Sequence, residues 1–110
     1  MNVITNHKLN CSRALAALGQ VMDPEIGLNV VDLGLIYQID FDEQKNIIFV
    51  LMTLTTQFCP MGESISGGVT RVIEHTFPDY TAQLELTFSP HWNNTMISKE
   101  GKLFLYNRIC

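Results

Sequence analysis

The chain has 110 residues, 46% of them hydrophobic and 16% charged, and a formal net charge of −4. That length suits one ordinary domain with its own core, residues 1–110, and the composition excludes a disordered chain. An acidic balance without any run of Lys or Arg argues against nucleic-acid binding, which rests on neutralising phosphates, and points to a protein surface or a small ligand.

The first predicted element is a helix from about Leu9 to Met22. Cys11, Leu15, Leu18 and Met22 fall on one stripe, widened by Ala14 and Val21, as a buried helix face requires. Asp23-Pro24 is expected to end it, because the residue before a proline avoids the helical region. From Val30 to Phe41 the pattern turns extended, with Val31, Leu33, Leu35, Tyr37 and Ile39 alternating on one face. Gly34 inside that run predicts a bulge or a close backbone approach. Asp42 to Asn46 reads as a turn. Ile47 to Thr55 is nearly continuous in apolar residues, as a central strand covered on both sides would be. The short turn between the two strands predicts an antiparallel hairpin.

A second helix is predicted from Cys59-Pro60 to about Thr76, carrying Met61, Ile65, Val69, Val72 and Ile73 at helical spacing. Pro60 suits the first helical position, where its missing N–H costs nothing. Gly67-Gly68 in mid-helix weakens it by about 1 kcal/mol per glycine, and marks either close packing on the sheet or a break. Phe77-Pro78-Asp79 stops it. Thr81 to Phe88 then alternates, Ala82, Leu84, Leu86 and Phe88 inward. Beyond Pro90, Ser98 to Tyr106 reads as a short helix capped by Ser98, the alternative being a loop ending in a strand. The sum is an α+β fold in two layers: an antiparallel or mixed sheet of about three strands, helices on one face, in the order α-β-β-α-β plus a short C-terminal element. An antiparallel pattern is expected to dominate.

The chain has three cysteines, Cys11, Cys59 and Cys110. Their odd number and wide spacing argue against a disulfide framework, and no close Cys or His pair announces zinc. No segment reaches about eighteen apolar residues, and Met1 to Asn10 lacks the features of a leader, so a soluble, cytoplasmic protein with no membrane partner is expected.

Chemistry concentrates at Cys59. A buried strand ends, a polar loop follows, and the cysteine stands where the next helix should begin. Unpaired N–H groups and the helix dipole favour a thiolate there, the form that attacks electrophiles and binds soft metals. Glu63, one turn in, opposes that effect. The alternative is a buried thiol acting as a small hydrophobe. Asp23 and Glu25 flank a proline, where they either support an iron ion or partner or simply build a turn. Asp32 stands in an apolar run, where a carboxylate facing the core is costly; it either faces water or bonds near Gly34. His91 lies in a loop able to fold back over the cysteine. Trp92 suits core closure better than stacking on a ligand. His75 complements the dipole at a helix end, Cys11 sits on the apolar stripe, and Cys110 has no prenylation pattern around it.

Asp23-Pro24-Glu25-Ile26, Val31-Asp32-Leu33-Gly34-Leu35-Ile36-Tyr37, Met52-Thr53-Leu54-Thr55 with Cys59-Pro60-Met61, and Pro90-His91-Trp92 together resemble, in order and spacing, the SufT/PaaD-like family of iron–sulfur assembly proteins. The resemblance spans roughly residues 10 to 105. It implies the fold of the C-terminal domain of NifU-type scaffolds and a function in assembling, carrying or targeting iron–sulfur clusters. It places the reactive cysteine on Cys59, the acidic motif on Asp23, Glu25 and Asp32, and the threonine-rich approach on Thr53, Thr55 and Thr56. Gln57-Phe58 and Asn93 depart from what many relatives carry there. Implied partners are an iron–sulfur scaffold and client apoproteins, with a homodimer as one arrangement. Iron or a labile cluster held through Cys59 would then be bridged between subunits, because clusters take four protein ligands and one thiolate cannot enclose one. Two other classes stay open: an enzyme with Cys59 as nucleophile activated by His91, and a non-catalytic interaction adaptor.

Overall fold

The computed structural model describes residues 3–23, 26–54 and 62–103. The elements are β1 (Ile4–Thr5), α1 (Lys8–Leu18), β2 (Ile36–Asp42), β3 (Ile47–Met52), α2 (Gly62–Thr76) and β4 (Thr81–Leu86). A 3-10 turn at Asn94–Met96 and helical residues 99–103 follow. The strands form one mixed sheet in the order β1-β2-β3-β4. β2 and β3 are the antiparallel hairpin; β1 runs parallel to β2, and β4 parallel to β3. The α+β class and the hairpin are as expected. Antiparallel pairing does not dominate, because α2 is a crossover joining two parallel neighbours, and such a connection leaves no other direction.

Local chemistry sets the boundaries. His7 caps α1, its Nδ1 accepting the Asn10 N–H at 3.1 Å. The helix ends four residues earlier than the proline suggested, at Leu18, with the Gly19 N–H closing on the Leu15 carbonyl at 3.1 Å. Met22 is accordingly not on the buried stripe: it is 50% exposed and pairs with Asn29 as an isolated bridge. Residues 30–34 are turn, and β2 begins only at Ile36. At the hairpin, Asp42 Oδ1 accepts the N–H groups of Gln44 and Lys45, and Asn46 takes a positive φ of 56°. β1 is held by Asn6, whose side chain exchanges two hydrogen bonds with the Phe41 backbone at 2.8 and 2.9 Å, mimicking a further strand residue.

The core lies between the helices and one face of the sheet. Cys11, Ala14 and Leu18 from α1, Ile65, Val69 and Ile73 from α2, and Ile39, Phe41, Ile48, Val50 and Met52 from the strands are all buried there. Each large aliphatic side chain so buried contributes about 1.5–3 kcal/mol. An aromatic group, Phe41 with Phe77 and Tyr80 at 5.3 and 6.0 Å, closes the hairpin end. Gly68 does not approach the sheet. A Cβ there would stand 3.3 Å from Val21 Cγ1, so the glycine lets the segment after α1 lie against an unbroken α2. The reading of β3 as covered on both sides is also corrected: Ile47, Phe49 and Leu51 are only half-buried, because both helices pack on the other face. In β4, Leu86 is 40% exposed rather than inward. Near the start of the same strand, Ala82 donates its N–H to the Glu74 carboxylate of α2 at 3.0 Å.

Candidate functional site

β3 delivers the chain to Met52, Thr53 and Leu54, all buried. The Thr53 N–H bonds the Leu35 carbonyl at 2.8 Å, and the Met52 carbonyl accepts the Thr87 N–H at 2.9 Å, so this strand end is held from both sides. Thr55, Thr56 and Cys59 lie outside the described residues, as do Glu25 and Cys110. On the far side of that segment α2 starts at Gly62. A strand end followed by a helix that crosses to a parallel neighbour is where open α/β sheets present ligand sites, with the helix N-terminus supplying N–H donors.

Three predicted supporting residues are described. Asp23 is 2% exposed and builds a turn: its Oδ1 accepts the Ile26 N–H at 3.3 Å and its carbonyl the Gly27 N–H at 2.7 Å. The residues just before it, Val21 and Met22, lie beside Ser64 and Gly68 in the first half of α2. Asp32 is engaged at both oxygens. Oδ2 accepts from Asn29 Nδ2 at 2.8 Å, and Oδ1 from Ser98 Oγ at 2.9 Å. Its carbonyl takes the Ser98 N–H at 2.7 Å, while Ser98 Oγ caps residues 99–103 by accepting the Gly101 N–H at 3.0 Å. The expected helix capped by Ser98 is therefore present, and Asp32 fastens it. His91 is exposed.

His91 sits in a segment tied to the start of β2, which pairs with the end of β3 through Ile36 and Met52. Tyr37 donates its hydroxyl to the Pro90 carbonyl at 2.9 Å, and Trp92 its Nε1–H to the Leu33 carbonyl at 2.6 Å. Burial raises the Tyr37 hydroxyl pKa, with a Thr53 hydrogen bond opposing. Trp92 packs against the core, as its apolar bulk suggested. The structure thus ties the Pro90–Trp92 segment to the start of β2 and the turn before it, and sets the residues preceding Asp23 beside the first half of α2. Among the described residues no three His, Cys, Asp or Glu side chains converge as a metal cage. Cys11 is buried and free, its pKa raised first by burial.

Asn29 and Tyr37 were not singled out as site-forming residues. Asn29 had a legible signal, since its Oδ1 accepts the N–H groups of Val31 and Asp32 in an Asx-type turn. Tyr37 had none, because its partner lies 53 residues away.

The clasp makes a stability prediction. Asp32→Ala, which loses the bonds from Asn29 and Ser98, is expected to cost about 2 kcal/mol in urea unfolding, and Ser98→Ala, which loses the cap and the bond to Asp32, about 1 kcal/mol. The double variant should fall short of the sum by about 0.5–1 kcal/mol, the mark of a shared interaction. Additive losses would mean that the two groups act separately.

Comparison with known proteins agrees with this picture. A family model described as "Iron-sulfur cluster assembly protein" matches residues 12–83. The chain is 35% identical over 85 residues to the Staphylococcus aureus Fe-S protein maturation auxiliary factor SufT, covering 77% of this chain and 96% of that protein. It is 41% identical over 88 residues to a Porphyromonas gingivalis Fe-S protein maturation auxiliary factor, covering 80% of this chain and 83% of that one. The crystal structure of a domain of unknown function, DUF59, from Bacillus anthracis superposes with a TM-score of 0.81 at 31% identity, over 86% of this chain and 90% of that one. With the fold, the motif order and the family model in agreement, the chain belongs to the iron–sulfur cluster assembly protein family.

Proposed function

We propose that this chain is an auxiliary factor for the maturation of iron–sulfur proteins and that Cys59 is the atom through which it handles its cargo. The observation that carries the reading is the path of the chain: a buried strand end at Met52–Leu54, then a segment holding Cys59, then α2. A thiolate at such a helix start is stabilised by the dipole and by unpaired N–H groups. Cys11 does not compete for the role, since it is 4% exposed with a raised pKa.

The cargo is iron or a labile iron–sulfur cluster. One thiolate per chain leaves most ligand positions of a cluster to other molecules, so the cluster is bridged between two copies or between this chain and a scaffold or client apoprotein. Binding is simple ligand exchange: the Cys59 thiol loses its proton and its sulfur donates a lone pair to iron, with no change of oxidation state. In this reading Asp23 and His91 support the cargo, while Asp32 fastens Ser98 and the helical turn that follows it. Such a factor works in the cytoplasm; among the described residues no helix is long and apolar enough to cross a membrane.

Anaerobic incubation with ferrous iron and sulfide tests this. Wild-type protein should acquire the visible absorbance of a cluster, and Cys59→Ser should lose nearly all of it, while Cys11→Ser retains it. A colourless wild type with a hyper-reactive Cys59 would favour the thiol enzyme. A colourless protein with an inert Cys59 would leave the adaptor.

A further inference from the structure

The sheet has a second face that the site does not use. Along β3, Ile48, Val50 and Met52 point to the helices and are buried, so Ile47, Phe49 and Leu51 point the other way. Among the described residues no helix lies over them. The register sets Asp42, Asp40 and Gln38 of β2 opposite Ile47, Phe49 and Leu51 on one side, and Thr81, Gln83 and Glu85 of β4 on the other. An apolar stripe one strand wide therefore runs between two polar rails.

At the hairpin end the stripe sinks into an open depression of about 650 Å³, whose lining includes Asp40, Asp42, Glu43, Ile47, Phe49 and Gln83. Its charges are unequal: three carboxylates, with Glu85 further along the sheet, against the single cation Lys45. The hydrogen bonds that Asp40 accepts come from neutral donors, the Asn6 N–H and the Gln38 amide, so its negative charge is not cancelled by them. Phe49 and Leu51, only partly buried on the middle strand, leave some apolar area in water, which an occupant would remove.

We propose that this face docks a cationic amphipathic segment of a partner protein, one that sets two or three bulky apolar side chains on Ile47, Phe49 and Leu51 and places Lys or Arg against Asp40, Asp42, Glu43 and Glu85. Charge complementarity selects this occupant. A two-fold contact with a second copy would bring the acidic face towards itself, and an anionic membrane or nucleic acid would be repelled by it. The surface lies on the opposite side of the sheet from α2, so the chain can hold a partner here while the strand end that leads to Cys59 stays free. The inference does not depend on Cys59.

The 110-residue chain, labelled with 15N, is titrated with a synthetic peptide bearing lysine pairs on either side of Leu-Phe-Val-Leu. Two control peptides replace the lysines by glutamate or the apolar residues by serine. The expected result is saturable shifts in residues 38–42, 47–51 and 83–85 with the first peptide alone. Affinity should fall about tenfold in the Asp42→Lys, Glu43→Lys double variant, and by a similar factor in about 0.5 M salt. Phe49→Thr and Leu51→Thr, each checked by its thermal melt, should weaken binding while keeping a strand-forming residue in place. Shifts elsewhere, equal binding of either control, or movement of the same resonances with protein concentration alone would overturn the proposal, the last by making a second copy the occupant. Binding unchanged in Cys59→Ser keeps this outcome separate from that of the cluster experiment.

Discussion

Cells that depend on this protein for a client iron–sulfur enzyme should lose that enzyme's activity when Cys59→Ala replaces the wild type, down to the level seen without the protein. The reason is chemical. Alanine removes the only thiol that the sequence sets between the end of β3 and α2. Cys11 is sealed between α1 and the sheet with its thiol held neutral by burial. Serine at position 59 should fail nearly as badly, because a hydroxyl is not ionised at neutral pH and is a hard ligand for iron. The thermal midpoint and soluble yield of both variants should match the wild type. By contrast, Cys11→Ala should keep client activity while costing about 1 kcal/mol of stability. Full complementation by Cys59→Ala would remove the cargo role and leave the adaptor.

Gly34→Val should be the most damaging single change to the described fold. Gly34 has φ 77°, a region that costs an L residue about 1–2 kcal/mol. A Cβ there would also overlap the Met96 carbonyl group and stand 2.9 Å from the Met96 Cβ. Backbone on one side and a turn on the other leave nothing flexible to yield. Relief requires pushing residues 95–98 away, which breaks the Ser98–Asp32 pair and the Tyr37 contact with that segment. The expected cost is about 3–5 kcal/mol, a large share of a domain's usual 5–15, seen as a fall of at least about 10 °C in thermal midpoint. Gly34→Ala should show about half the effect. A valine variant as stable as wild type would mean that the 95–98 segment does not rest on this turn.

Gly34 also shows how far sequence reading reached. Its place in an apolar run announced a close approach, and the approach exists, but to Met96, 62 residues onward, which no local pattern names. The same run misled in another way. Val31, Leu33 and Leu35 alternate like a strand, yet Asn29 turns the chain by bonding the N–H groups of Val31 and Asp32. Side-chain hydrogen bonding overrode periodicity there. The helix stripes were legible because Ile65, Val69 and Ile73 repeat at the helical period and face a common core. β1 was not, since two residues carry no period and its pairing depends on Asn6 bonding Phe41. The mixed sheet was available from strand–helix–strand order, a topological argument rather than a compositional one. The bond between Asp32 and Ser98 spans 66 residues, too far along the chain for any local pattern to pair them.

The Glu74 carboxylate that accepts the Ala82 N–H has a consequence for behaviour in crowded solution. Among the described residues β4 borders the sheet, and the N–H groups of its even-numbered residues are not those that face β3: Thr81 and Thr87 donate inward to Asn46 and Met52. An uncovered row of such donors is a template on which further chains can add and grow into fibrils. By occupying the first of them with a charged side chain anchored on α2, the fold shortens that template and sets a repelling anion at its threshold. The edge of the sheet is thereby guarded against polymerising on itself.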